Sequence, residues 1–437
     1  MKMRVLIIQL ARMGDLFQSV PVCRHFEQVW VLHNEVFTSV VEAAELGTPL
    51  GVDLSRLLPL NQKSLYYRNL LTQIDNLKFD LVVNLNSSGI ARQIIQDIHI
   101  PEKAGFGSWE TASQDWLHFA MSFVKTRRLS TLNLIDIYRH TVEAAPPPRL
   151  KTISPAPRII AFQVASRNSK RQWSADSWRN LAKRFIKEGC RIILLGVESE
   201  RQEIESVFST LKSPLLENQI GKTSISELLS LLADADLLVT GDTGTMHAAT
   251  YASTPVVAIF TASAYSQETL CWGGIALQPD MTEFPCYPCA DSEPCPRQLA
   301  CHNSVSADDV WNAVSGTATP ANMWLPEYDS IGQYLTPAAT EPDGIDLFMA
   351  FAYRSFALKY FWGETQAPLL QPKEDWLCSL KRELKLLNEL EKLPWEHLVL
   401  NFELLKPLVY IKQLTNSPTL YSGLRLFLES LTKKERP

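Results

Sequence analysis

The sequence predicts an α/β chain, with two doubly wound domains facing a cleft and an α-helical extension behind them. Three observations predict it. Short, continuous apolar runs alternate with helix-period segments along residues 1–316. A proline-rich stretch, "AAPPPRLKTISPAPR" at 144–158, divides that alternation into two series. From about residue 317 the strand-like runs give way to long helical patterns. Continuous apolar runs suit parallel strands covered on both faces, whereas a half-exposed sheet would alternate.

The first series gives a domain over 1–150. "RVLIIQL" (4–10), "QVWVLHN" (28–34) and "FDLVVNL" (79–85) read as strands, with "YYRNLLTQIDNL" (66–77) as a helix between two of them. The second gives a domain over 151–316. "IIAFQV" (159–164), "RIILLG" (191–196), "LLVTG" (237–241) and "PVVAIF" (255–260) are its strands. "SADSWRNLAKRFIKEG" (174–189) is a helix with Ser174 as its cap and Gly189 as its stop, and "SISELLSLLADA" (224–235) is another. The extension, 317–437, carries "IDLFMAFAYRSFALKYFW" and "WLCSLKRELKLLNELEKL", read as amphipathic helices. In the latter Leu377, Leu380, Leu384, Leu387 and Leu390 form one apolar stripe, suited to docking on the rest of the chain or on a second copy.

Composition narrows the function classes. With 46% hydrophobic and 20% charged residues the chain is globular, not disordered. Its 42 basic and 47 acidic residues leave a net charge of −5, which argues against a nucleic-acid partner. No run approaches the roughly 18–20 apolar residues that span a bilayer. The opening "MKMRVLIIQLARMGD" has no small-residue cleavage site and leads straight into a Gly-Asp turn, so it reads as a buried strand. A cytoplasmic protein is expected, with peripheral contact at the inner face of the membrane left open.

Four strand-end loops carry the chemistry. Gly14 and Asp15 follow the first strand and open a helix, where a carboxylate serves either as a cap or as a base facing the cleft. Arg167, Lys170 and Arg171 crowd the turn after the strand at 159–164, which suits an anionic ligand. Gly196 ends a strand, and Glu198 or Glu200 beyond it suits either a ribose diol or the first turn of a helix. The fourth loop is "GDTGTMHAAT". There Gly241 and Gly244 let backbone approach a ligand, Asp242, Thr243 and Thr245 surround a helix start, and His247 can donate to a phosphate.

In this order and spacing the loops resemble glycosyltransferase family 9, the ADP-heptose:lipopolysaccharide heptosyltransferases. "DTGTMHAATYASTPVVAIF" is close to that family's Asp-Thr-Gly-x-x-His-x-x-Ala signature, and "MRVLIIQLARMGDLFQSVP" looks like its opening strand and turn. "FDLVVNLNSS", "KAGFGS" and "KRQWSADSW" resemble three further landmarks, and the match covers roughly 1–316. The resemblance implies a GT-B fold, with a Rossmann-like acceptor domain and a Rossmann-like nucleotide-sugar domain. It implies an inverting glycosyltransferase with no cofactor required for catalysis, moving heptose from ADP-heptose onto a glycan, glycolipid or protein acceptor of the cell surface. By it Asp15 deprotonates the acceptor hydroxyl, and Arg171, with Lys170 as the neighbouring candidate, neutralises the leaving diphosphate. Gly14 lies at the donor cleft; Thr243, Gly244, Thr245 and His247 hold the diphosphate; Asp242 organises their turn; Glu200, or Glu198, binds the ribose.

Two features depart from the family. Its lipid-acceptor members carry an arginine-dense segment where this chain, in "NQKSLYYRNLL" (61–71), offers Lys63 and Arg68 beside Tyr66 and Tyr67. The extension also exceeds the usual length, and suggests a rival reading: a non-catalytic nucleotide-sugar-binding protein acting with a partner, self-association through the extension included. Finally, Cys286, Cys289, Cys295 and Cys301 stand in C-x2-C-x5-C-x5-C spacing. Four thiols so placed suit a structural Zn or Fe, and equally a proline-stiffened loop of free thiols.

Overall fold

The computed structural model describes residues 2–58, 64–108, 114–123, 126–290, 293–339, 344–364, 373–390, 404–414 and 418–433. Lys63 lies outside them.

The first sheet is built from β1 (Arg4–Ile8), β2 (Gln28–Asn34), β3 (Thr48–Val52), β4 (Leu81–Asn84) and β5 (Glu102–Gly105). All of its pairings are parallel, in the order β3-β2-β1-β4-β5. The apolar run of β1 alternates between two cores. Leu6 and Ile8 face a cluster with Tyr67, Ile74 and Ile94, while Val5 and Ile7 face the interior shared with the rest of the chain.

The second sheet repeats the same winding. Its parallel strands are β6 (Ile159–Gln163), β7 (Arg191–Leu195), β8 (Leu216–Asn218), β9 (Leu237–Gly241), β10 (Val256–Ile259) and β11 (Ile275–Leu277). Their order is β11-β10-β9-β6-β7-β8. The sheet continues past residue 316. The strands β12 (Met323–Tyr328) and β13 (Gln333–Pro337) form an antiparallel hairpin that adds to the β11 edge.

The winding direction reverses between β1 and β4 in one sheet and between β6 and β9 in the other. At such switch points the connecting loops part and leave a crevice at the strands' carboxyl ends. The two crevices meet, because the Met13–Gln18 helix after β1 packs on the Gly244–Ala252 helix after β9. The segment 144–158 between the sheets has no helix or strand, as its prolines dictate.

The extension, read from the sequence as helical from 317 onward, thus begins with a hairpin of the second sheet, and it differs from that reading in a second respect. The Ile345–Trp362 helix is not amphipathic, for every residue from Leu347 to Leu358 is buried. A helix apolar on all sides must be enclosed. Here the enclosing groups come from the first domain, the β12–β13 hairpin and the later helices, with Phe119, Phe123, Tyr334, Trp376 and Phe427 against its rings. In the Glu374–Leu390 helix Leu380, Leu384 and Leu387 are buried and Leu377 half-buried, so this much of the stripe is covered within the chain. The side chain of Leu390 lies outside the described residues.

Candidate active site

Where the two helices cross, Gly14 lies on the ring of His247. A Cβ at Gly14 would come within 2.7 Å of His247 Cδ2, and one at Gly244 within 3.3 Å of the Met13 side chain. Gly14 has no room for a side chain unless the ring moves, whereas at Gly244 the flexible Met13 side chain would have to yield only slightly. Burial pushes the His247 imidazole down in pKa, while Asp242 and Asp15 pull it the other way. Its Nε2 is 3.5 Å from Gln18 Nε2, and its buried Nδ1 has no hydrogen-bond partner among the described residues.

Asp15 stands in the first turn of the Met13–Gln18 helix, half-buried. One carboxylate oxygen accepts from Arg12 N at 3.1 Å, and the other accepts from the Tyr138 hydroxyl at 3.3 Å. The carboxylate is thus a helix cap and also borders a cavity of about 290 Å3. Ser87, Phe106, Arg127, Tyr138 and Glu268 line the same cavity. Burial, and after it Asp15 alongside, pushes the Tyr138 phenol well up, so the hydroxyl stays a donor.

Across the cleft, Arg171 Nη1 donates to Asp242 Oδ2 at 2.7 Å, and its Nε to Ser263 Oγ at 2.9 Å. Lys170 points elsewhere. Its Nζ donates to the Glu293 carbonyl at 2.5 Å, in the cysteine-rich loop, because adjacent residues of the Ser169–Arg171 turn diverge. Thr243 is the N-cap residue of the Gly244–Ala252 helix, and its hydroxyl lies 3.0 Å from that of Thr240. The Thr245 hydroxyl turns inward and donates to Gln163 Oε1 at 3.0 Å. Glu200 accepts from Val197 N at 3.0 Å, whereas Glu198 is exposed and paired with Arg201 at 2.7 Å. Trp173 and Trp178 pack together beneath this turn, both buried, with ring centroids 5.0 Å apart.

Four groups at this cleft were not singled out in the sequence. Arg127, from the first domain, pairs with Glu268 and donates to the Ser263 carbonyl at 2.9 Å, so Ser263 receives a guanidinium from each domain. Tyr138 and Gln18 flank Asp15 and His247. The loop after β10, "TASAYSQE", followed the same strand-end logic as the other four, and could have been marked by it.

Of the two readings of the clustered cysteines, the metal site is the one without support. Among the described residues no group of three or more His, Cys, Asp or Glu side chains is arranged to hold a metal ion. Cys286, Cys289 and Cys295 are half-buried and Cys301 is buried, and all four are free thiols. Burial raises the Cys289 and Cys301 thiols. Cys295 Sγ accepts from Leu299 N at 3.2 Å. The loop is tied to its surroundings, with Cys289 N donating to the Ala262 carbonyl and Lys170 Nζ to that of Glu293, and a structural Zn or Fe finds no support.

Comparison with known proteins bears on the family and the fold. The family described as glycosyltransferase family 9 (heptosyltransferase) matches residues 68–293. A lipopolysaccharide core heptosyltransferase, OpsX, of Haemophilus influenzae is 21% identical over 276 residues, covering 58% of this chain and 78% of its own. Among solved structures, a family 9 glycosyl transferase from Veillonella parvula superposes with a TM-score of 0.53 at 14% identity, over 72% of this chain and 96% of its own. E. coli heptosyltransferase WaaC with ADP gives 0.52 at 16%, over 72% and 100%. At these identities the structures show the fold, and it is GT-B.

Proposed function

Because the chain belongs to glycosyltransferase family 9, and is therefore a glycosyltransferase, we propose that it moves heptose from ADP-heptose, with inversion, onto a hydroxyl of a lipopolysaccharide core acceptor. The observation that supports this most is the meeting of Asp15 with the Asp242–His247 turn across one cleft, at the switch points of both sheets.

In this reading the acceptor hydroxyl gives its proton to Asp15 as its oxygen bonds the anomeric carbon. Attack comes from the face opposite the diphosphate. The bond from that carbon to the diphosphate oxygen breaks, and its electron pair leaves with ADP. Arg171 exchanges Asp242 for the departing phosphate, a charge that a guanidinium can grip with two parallel donors. Thr243, Gly244 and the N–H groups through Met246 add the helix N-terminus. A neutral His247 adds a ring nitrogen, and Glu200 takes the ribose. Lys170 supports the cysteine-rich loop, and Thr245 contributes its backbone, since its hydroxyl is engaged.

The rival reading, a non-catalytic binding protein, is not favoured by family membership. Where the protein works is part of the same proposal. Among the described residues no helix is long and apolar enough to cross a membrane, and the acceptor would be met at the inner membrane face.

The test is ADP release from ADP-heptose in the presence of heptose-deficient core acceptors, with the anomeric configuration of the product read by NMR. Inverted product supports the proposal. Preference for a UDP or GDP sugar overturns the donor, and retained configuration overturns the mechanism.

A further inference from the structure

Arg354 is a guanidinium sealed inside the extension, 1% exposed, and the one charged residue in the buried span Leu347–Leu358 of its helix. All five of its N–H groups have an acceptor. Nε and Nη2 donate to the two Asp329 oxygens at 2.7 and 2.6 Å, and Nη2 also donates to the Gly332 carbonyl at 2.9 Å. Nη1 donates to the Thr131 carbonyl at 3.0 Å and to its hydroxyl at 3.4 Å. Burying such a charge is costly, and apolar residues would hold the helix down as well. Its geometry has to account for it, and that geometry joins the extension to two places at once.

One is the turn 329–333 of the β12–β13 hairpin. Asp329 fixes it by accepting from Ile331 N and Gly332 N. The turn then grips a short helix, Leu134–Arg139. Gln333 N donates to Asp136 Oδ2 at 2.9 Å, and Arg139 Nη2 donates to the Ile331 carbonyl at 2.6 Å. Gly332 has φ +138°, and any Cβ there would lie 2.0 Å from Asp136 Oδ1. The other place is Thr131, just ahead of the same helix. Two residues on, Asn133 caps that helix and donates to the Leu270 carbonyl of the second domain at 2.9 Å. A helix of six residues has no stability of its own, so its pose is set by these anchors. Tyr138 is on it, with its hydroxyl on Asp15.

We propose that Arg354 is a positioning residue for catalysis: from the extension it registers the 131–139 segment, and so holds the Tyr138 hydroxyl against the Asp15 carboxylate. This rests on the reading of Asp15 as the base. It makes the extension a working part of the catalytic centre.

The experiment uses the full chain with Arg354→Lys, Tyr138→Phe and the double variant, reading kcat and acceptor KM by ADP release and ADP affinity by calorimetry. Each single variant is expected to lower kcat about tenfold, with KM and ADP affinity within about twofold, and the double to be no slower than the slower single. Amide exchange across 131–139 is expected to quicken in Arg354→Lys. Asp329→Asn, which keeps the guanidinium but weakens its grip, should reproduce the kcat loss if Arg354→Lys folds poorly. Losses that multiply in the double variant, or an unchanged kcat in both Arg354→Lys and Asp329→Asn, overturn the inference. Asp15→Asn run alongside separates the two ideas. If it is inert, the outcome bears on Arg354 alone; if it retains transfer, the base reading falls and this inference with it.

Discussion

His247 and Gly14 belong to different domains, yet a methyl group on Gly14 would lie 2.7 Å from the imidazole Cδ2. The two domains therefore touch at the site itself, through a contact with no room for one more carbon. Gly14→Ala should force the helices apart, at a cost of about 1–3 kcal/mol in stability. Denaturant unfolding checks the cost, and a turnover assay checks the consequence for the cleft. An unchanged midpoint would mean the helices part more readily than this packing implies.

Asp15→Asn keeps the shape of the side chain and removes the base. Transfer should fall by roughly 10²–10⁴ while ADP affinity stays within a few-fold. Single-turnover kinetics and calorimetry on the same sample separate the two quantities. A comparable loss in ADP affinity would place Asp15 in donor binding instead.

Glu200 and Glu198 make a matched pair for testing ribose recognition. Glu198 is exposed and held by Arg201, which keeps its carboxyl below the usual range, while Glu200 caps Val197 at the end of β7. Glu200→Gln should weaken ADP binding about tenfold and Glu198→Gln hardly at all. The reverse order would exchange the two assignments.

The His140 ring should contribute a loss of stability on acidification, opposed by nearby Asp136, whose carboxyl burial raises to about 7 and which therefore favours the folded chain as pH falls. Burial, with the Arg139 and Arg354 guanidinium groups adding to it, pushes His140 down to about 4, although its ring donates to the Ile331 carbonyl and feels Asp329. The unfolded chain takes up the proton first, near 6.5, so the stability tied to the neutral ring is present above that pH and is lost as pH falls toward 4. The shift corresponds to about 3 kcal/mol. Unfolding free energies at pH 7 and pH 4.5 should differ less in His140→Gln than in the parent chain. Equal differences would remove His140 as the source.

Much of this was legible in the sequence, and the exceptions share causes. Strands β1, β2, β4, β6, β7, β9 and β10 read clearly because both of their faces are covered. Strands β3 ("TPLGV") and β8 ("LEN") did not, being sheet edges of three to five residues with half-exposed side chains. The β12–β13 hairpin is masked by Pro326 and Pro337 within it. In the site, Asp15, Arg171, Asp242 and His247 stood out because each sits in a strand-end turn whose residue types a plain turn does not need. Arg127, Tyr138 and Ser263 are generic residues whose partners lie more than ninety positions away. Only the folded chain brings them in. Lys170 shows the converse, since proximity in sequence to Arg171 did not carry it to the same target.

One apolar cluster runs without a break from Val5 and Leu16 through Met246 and Phe260 to Phe348 and Leu428. Its members come from both sheets' domains and from the extension, so unpacking any of the three uncovers part of the others, although each sheet also keeps a core cluster of its own. Cutting at the proline segment or before the extension should therefore lower the melting temperature of what remains, as read by calorimetry, because each cut uncovers part of this shared cluster.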